Sequence, residues 1–342
     1  MAFALIFGVA FGLALAFTPL AGRLGWRYGI VDVPGGRRVH ERTVPRLGGL
    51  ALYLPFMIAL ILTLILPQEW LPPRQDPNEL TRLAGVLLGS SFIFLVGLYD
   101  DRRELGPIPQ LIAQFIAALI AIAFLVFIER VMNPFTDRLT IFPWPFTIAF
   151  TLFWIMGMIN TVNWLDGLDG LAAGITAVVS IVLAIHMYRE GQHSVALLPL
   201  ALLGCTLGFL PYNFHPAKVF MGSSGALFLG FAVGTLSIVA GAKMATVLLV
   251  MGIPIMDVAW RIFDRLRQGR SSMKRDLGHL HFRLLDMGLS QPQIVVLYYL
   301  FCAFFGALAL LIPSRLYKFF ALLVLGLVTV VVLFLAARRE PE

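Results

Sequence analysis

Four oxygen-bearing side chains recur at three-residue intervals in NTVNWLDGLDGLAAG: Asn160, Asn163, Asp166 and Asp169. On a helix this spacing predicts one slowly winding polar stripe. Oxygen ligands along a single face suit a hard cation such as magnesium, which also bridges phosphate oxygens. Gly167 and Gly170 beside the two aspartates allow close backbone approach or a helix break. The competing structural reading is a helix-capping Asp pair with amides bonded between helices, which four such residues in register disfavour. A second acidic pair, Asp100 and Asp101 in GLYDDRRELG, ends an apolar run. An ionised Asp in a bilayer centre costs roughly 2.5–3.5 kcal/mol, so the pair needs water, a cation or a partner. Arg102 and Arg103 are one such partner.

Two further segments concentrate groups suited to anions. In LPYNFHPAKVFMGSSGALFLG, Lys218, Gly222 and Gly225 lead into an apolar run with small polar residues at its start. A glycine-led helix N-terminus attracts phosphate through its free N–H groups and its dipole. Phe220 in the same loop is placed to stack on a base. The 261–293 segment is the most basic stretch, with His279 and His281 one residue apart and Arg283 just beyond. Arg and His supply the forked and directional donors that diphosphate recognition needs. No Cys or HExxH frame accompanies the two His, so zinc is disfavoured. The loop VDVPGGRRVHERTVPRLGG adds Asp32, Arg37, Arg38, His40 and Arg46 between turn signals at Pro34 and Gly48–Gly49.

The elements that must carry these groups are membrane helices. Of 342 residues, 59% are hydrophobic and 13% charged, and the mean hydropathy is +0.87. Soluble domains carry about 25% charged residues. Apolar stretches near the length of a bilayer crossing recur throughout: roughly 2–22, 47–66, 81–99, 107–128, 144–162, 168–187, 194–212, 225–241, 244–262, 294–312 and 318–336. The expectation is an all-α, polytopic bundle of about eleven transmembrane helices, forming a single domain over 1–342. With the 23–46 loop inside, about 18 of the 26 Lys and Arg fall on the cytoplasmic side. The N-terminus then faces out and the C-terminus in. The formal charge of +7 therefore reads as an orientation signal meeting anionic headgroups, and nucleic acid is not expected. The N-terminal run is too long for a removed signal peptide and lacks its charged start and cleavage site. Cys205 and Cys302 lie within predicted spans without metal-type spacing and read as packing residues. Every unusual polar cluster falls in an inner loop. A transporter would place ionisable groups near the midplane, whereas a site at one end suits an enzyme meeting a soluble substrate and a lipid headgroup.

These motifs, in this order, resemble the polyprenyl-phosphate N-acetylhexosamine-1-phosphate transferases over nearly the whole chain. The elements are the first loop (D-x-P, RR-x-H, PR-x-GG), the DD pair, N-x-x-N-x-x-DGLDGLA, NFHPAKVFMG and GHLH-x-RLL. The last form looks like the branch that uses UDP-N-acetylglucosamine; the branch using UDP-MurNAc-pentapeptide usually has three His there. The resemblance implies a multi-pass enzyme of the bacterial inner membrane with a cytoplasmic active site. It would convert UDP-GlcNAc and undecaprenyl phosphate to undecaprenyl-diphospho-GlcNAc and UMP, opening a cell-envelope polysaccharide pathway. It implies Mg2+, with Mn2+ as a substitute, and leaves a homodimer open. Carried over by residue, Asp100 and Asp101 match the essential catalytic pair and Asn163 a magnesium ligand. Asp169 matches a uracil contact, beside Asp166 and Lys218 in the nucleotide-sugar site, and Phe220 the aromatic that stacks on uracil. His279, His281 and Arg283 match the loop holding diphosphate and sugar, and Arg37, Arg38, His40 and Arg46 the first loop on the lipid-phosphate side. Two positions depart from the pattern. FMGS places Ser223 where the family has an Asp magnesium ligand, and Phe282 stands where the branch usually has His. A UDP-MurNAc-pentapeptide relative, or a non-catalytic homologue binding nucleotide or lipid phosphate, is the alternative.

Overall fold

The computed structural model describes residues 1–34, 42–241, 244–267 and 278–337. The fold is almost wholly helical. α1 (Ala2–Tyr28) is followed by a short ribbon in which β1 (Val31–Asp32) pairs antiparallel with β2 (Val44–Pro45). Then come α2 (Gly49–Ile65), α3 (Glu79–Arg103) and α4 (Pro107–Ala123). A hairpin of β3 (Arg130–Met132) and β4 (Leu139–Ile141) leads to α5 (Trp144–Leu165), α6 (Leu171–Arg189), α7 (His193–Asn213) and α8 (Gly222–Val239). The chain ends with α9 (Met244–Val250), α10 (Gly252–Arg267), α11 (Leu280–Asp286), α12 (Gln291–Leu311) and α13 (Arg315–Ala337).

Among the described residues, seven helices are long and apolar enough to cross a membrane: α1, α3, α5, α6, α7, α8 and α12. The apolar helices α2 and α4 have 17 residues each, about 25 Å of rise and slightly short of the hydrocarbon core. All eleven predicted spans have a helical counterpart, but two differ in form. The fourth ends at Ala123 rather than 128, because Leu125 takes a left-handed conformation (φ 62°) and turns the chain. The ninth is bent by 82° between α9 and α10. Pro254, which lacks an N–H and whose ring opposes the carbonyl four residues back, lies just after this break.

α8 is the axis of the bundle. It is apolar on all sides and buried from Ser224 to Val239, as expected of a helix surrounded by other helices. α2, α3 and α5 pack around it. Trp154 of α5 donates its indole N–H to Ser237 Oγ at 2.9 Å, so this buried polar group is satisfied within the bundle. One apolar cluster runs from α1 to α12, and a smaller one of Leu249, Ala309 and Leu325 seats α13. The polar groups divide by end. One end holds the β1–β2 ribbon, the last turn of α3, the α5–α6 turn, the first turn of α8 and α11. The other holds the β3–β4 hairpin, an Arg315–Asp137 pair at 2.8 Å, and Glu79 held by Ser194 and Arg74.

Candidate active site

At the first of these ends α3 runs into the start of α8. A Cβ at Gly97 would lie 2.5 Å from the Ser224 backbone, so the two helices touch through glycine. This brings Asp101 against α8. Its Oδ1 accepts the Ser223 N–H (2.7 Å), and its Oδ2 accepts the Ser224 N–H (3.0 Å) and hydroxyl (2.6 Å). Arg46 Nη2 lies 3.3 Å from Oδ1, and the carboxylate has no exposed surface. Gly222 sits at φ 67°, and a Cβ there would fall 2.6 Å from Asp101 Oδ1, so this turn requires glycine twice over. The free N–H groups of the glycine-led helix start, expected to meet phosphate, are here taken by a protein carboxylate.

Asp100 is held differently. Its Oδ1 accepts the Leu105 N–H (2.6 Å) and the Gln110 side-chain amide (3.0 Å). Its Oδ2 meets no donor among the described residues. Gln110 lines a cavity of about 560 Å³ walled by α4, α5, α9 and α10. Most of the wall is apolar (Leu111, Phe153, Met158, Leu248, Ile255, Phe263), with Gln110, Gln114, Asn160, Thr161 and Asn163 as polar exceptions. Gln114 and Asn160 exchange two amide hydrogen bonds, at 2.7 and 3.2 Å. Asn163 lines the cavity one helical turn further on.

The four-residue stripe is only half formed. Asn160 and Asn163 lie on α5, but the helix stops at Leu165 and leaves Asp166 and Asp169 in the turn before α6. The backbone leaves the helical region at Asp166 (φ −75°, ψ 48°), and Gly170 at φ 82° turns the chain into α6. Asp166 is half-buried at the end of α5. Asp169 turns to the 214–221 segment, where its Oδ2 lies 3.0 Å from His215 Nδ1 and accepts the Ala217 N–H at 3.0 Å. That segment is also tied to the first loop: the Phe220 N–H donates to Pro45 O (2.8 Å), and the Gly48 N–H to Phe220 O (2.9 Å). The Phe220 ring is half-buried and Lys218 is exposed. Arg37, Arg38 and His40 lie outside the described residues.

The histidines close the site from the other side. His279 Nδ1 lies 2.9 Å from Asp257 Oδ2 of α10, and the Leu280 N–H donates to Oδ1 of the same carboxylate at 3.0 Å. The His279 and His281 rings stack with centroids 5.6 Å apart, and Trp164 of α5 is 5.7 Å from His279. A Cβ on Gly167 would sit 2.6 Å from His281 Nε2, so the Asp166–Gly170 turn and α11 are in contact. His281 is buried, and neither ring nitrogen has a hydrogen-bond partner among the described residues. Burial pushes its pKa down to about 4, with His279 adding to the shift and Asp257 opposing it, so the imidazole is neutral near pH 7. Arg283 Nε donates to Gly278 O at 2.9 Å, and the Arg261 guanidinium packs against Gly278.

His215 and Ser224 stand in the quoted motifs without a role of their own, and Asp257, Gln110 and Gln114 stand outside those motifs; the structure brings all five to this end of the bundle. Asp257 had a signal: it is an ionisable residue inside a predicted span, and such residues need a partner. Gln110 and Gln114 carried a weaker one, two amides four residues apart in an apolar run. Among the described residues no three His, Cys, Asp or Glu gather into a metal cage. Asp100 Oδ2 and the Asn163 amide oxygen are donors of the kind a magnesium ion takes when it keeps several waters and binds substrate phosphates.

A polytopic helical bundle with carboxylates, amides and imidazoles gathered at one end, beside an apolar cavity, is the build of an integral membrane protein with its polar chemistry at one end. Residues 83–241 match glycosyl transferase family 4. The chain is 30% identical to a probable undecaprenyl-phosphate N-acetylglucosaminyl 1-phosphate transferase of Bacillus subtilis, over 88% of this chain and 82% of that one. It is 33% identical to the decaprenyl-phosphate N-acetylglucosaminephosphotransferase of Mycolicibacterium smegmatis, over 83% and 76% of the two chains. A phospho-N-acetylmuramoyl-pentapeptide-transferase of Caldicellulosiruptor bescii is 32% identical over 83% and 88%. The chain belongs to glycosyl transferase family 4, among the polyprenyl-phosphate N-acetylhexosamine-1-phosphate transferases.

Proposed function

We propose that this protein transfers N-acetylglucosamine-1-phosphate from UDP-GlcNAc to undecaprenyl phosphate, releasing UMP, at the cytoplasmic face of the bacterial inner membrane. The product opens a cell-envelope polysaccharide pathway. The observation that carries this reading is the apolar cavity whose polar wall holds Asn163 and, through Gln110, Asp100. A long isoprenoid needs an apolar wall and its phosphate needs polar partners, and the two meet here.

In the proposed reaction an oxygen of the lipid phosphate attacks the β-phosphorus of the UDP-sugar. The bond from that phosphorus to the bridging oxygen breaks, and UMP leaves with the electron pair. The attacking phosphate is already anionic at neutral pH, so the site needs charge neutralisation and alignment more than a strong base. Asp101 holds Arg46 and the start of α8 in fixed positions, and so places a guanidinium at the entrance. His279, Arg261 and Arg283 gather around Gly278 as donors for the diphosphate. Asp169 and Phe220, tied through the 214–221 segment, take the uridine. Asp100 and Asn163 would hold magnesium, or manganese in its place, and such a cation would draw charge from the transferring phosphoryl group.

A second reading, a non-catalytic homologue that binds the same ligands, rests on Ser223 and on Asp101 being committed to α8. The separating experiment supplies the purified chain in vesicles with undecaprenyl phosphate and either UDP-GlcNAc or UDP-MurNAc-pentapeptide. UMP formation from UDP-GlcNAc alone, abolished by chelator, is expected. UMP from the pentapeptide donor would move the chain to the other branch, and saturable binding without UMP would support the non-catalytic reading.

A further inference from the structure

α10 has two occupations. Ile255, Val258 and Ala259 line the apolar cavity, while Asp257 between them points the other way and is buried. A buried carboxylate is costly unless it is fully hydrogen-bonded. Asp257 meets that requirement in one place, the 279–280 turn, by taking His279 Nδ1 on Oδ2 and the Leu280 N–H on Oδ1. An ionised carboxylate can only accept, so the proton of this 2.9 Å contact belongs to His279 Nδ1. Nε2 is then the nitrogen that remains for a ligand. The ring is fixed in rotation by Trp164 on one side and His281 on the other.

We propose that Asp257 is a positioning residue for the transfer reaction: it locks His279 in the Nδ1-protonated form and clamps the donor-binding turn to the helix that walls the acceptor cavity. The inference rests on the donor role given above to the 278–286 segment. Asp257 touches no substrate in this account and acts entirely through His279 and the turn. The same helix faces both ligands, so the bend before α10 and the Asp257 clamp together set the distance between lipid phosphate and diphosphate.

Asp257→Asn is the informative variant. It keeps the size and can still accept the Leu280 N–H, but it presents an amide to His279 or gives up that turn. Orienting partners of this kind typically cost about 10- to 100-fold in activity when removed. The expected result is a loss of that size in kcat/KM for UDP-GlcNAc with an unchanged unfolding temperature. The double variant with His279→Gln should be no worse than His279→Gln alone, because both changes remove one function. Separately, 15N NMR of the imidazoles, with the His279 signal assigned by its loss in His279→Gln, should show a proton on Nδ1 in the wild type. In Asp257→Asn it should move to Nε2. An Nε2-protonated wild type, or an Asp257→Asn loss that adds in full to that of His279→Gln, overturns the proposal. If the wild type releases no UMP, the donor reading fails, and the NMR still decides whether Asp257 sets the tautomer.

Discussion

Ser223→Asp introduces the carboxylate that the family resemblance implies at this position, and the structure sets the consequence. The Ser223 nitrogen is 2.7 Å from Asp101 Oδ1, so a carboxylate on the residue 223 side chain lies within a few ångströms of that charge, about 5 Å by the length of the added side chain. At a charge separation of roughly 5 Å and an effective dielectric near 20, two like charges repel by about 3 kcal/mol. The start of α8 returns about 0.3–1 kcal/mol of that through its dipole. In chelator the variant should therefore be less stable than the parent by about 2 kcal/mol. A divalent cation bound there would offset this repulsion by adding positive charge beside the carboxylates. Unfolding temperature and UMP release should be followed together across a magnesium titration. The variant should start lower, cross the parent as magnesium rises, and turn over faster by roughly a hundred- to a thousandfold if the restored contact acts in the transition state. Equal stability in chelator, or no gain in rate at saturating magnesium, would refute the electrostatic reasoning and show that the site is already compensated.

Three further outcomes follow from particular contacts. His281 has a folded pKa of about 4 against an ordinary 6.5. The unfolded chain thus takes up a proton more readily, and stability is complete above about pH 6.5 and lost as pH falls toward 4, by up to about 3 kcal/mol. Unfolding temperatures at pH 7.5 and 5 should fall less for His281→Gln than for the wild type; equal falls would count against a buried neutral imidazole. Gly167→Ala would put a methyl group 2.6 Å from His281 Nε2 and 2.9 Å from the Phe282 ring. It should cost about 1–3 kcal/mol and raise KM for the UDP-sugar, measured by unfolding and steady-state kinetics. Ala259→Phe narrows the cavity and should raise KM for undecaprenyl phosphate while leaving KM for the donor unchanged. A shift in both constants would mean that the cavity is not the acceptor groove.

The helices were legible because lipid selects for long apolar runs, and Asp100–Asp101, Asn163, Asp169 and His279 were legible because polar groups stand out against them. Other features were hidden for physical reasons. A three-residue spacing does not show where a helix stops, so the stripe from Asn160 to Asp169 broke where the backbone leaves the helix at Asp166. The bend between α9 and α10 lies in a stretch whose hydropathy alone favours a straight crossing, and Pro19, Pro55, Pro199 and Pro211 sit inside continuous helices, so a proline nearby does not announce it. Asp101 has two neighbouring arginines in sequence, yet its ion-pair partner is Arg46, from the far side of α2. That pairing depends on α3 packing against α8. Asp257 was the readable omission, since a lone acid in an apolar span demands a partner; its identity, His279, depends on the fold.

The most direct test follows the β-phosphorus of the donor. UDP-GlcNAc labelled with 32P at the β-position is incubated with the purified chain, magnesium and undecaprenyl phosphate, and the lipid and aqueous fractions are separated. Transfer of the sugar together with its phosphate predicts label in the lipid fraction, equal in amount to unlabelled UMP in the water. Label retained in aqueous UDP would mean that the sugar moves alone, and label remaining in UDP-GlcNAc would mean no transfer; either result contradicts the account.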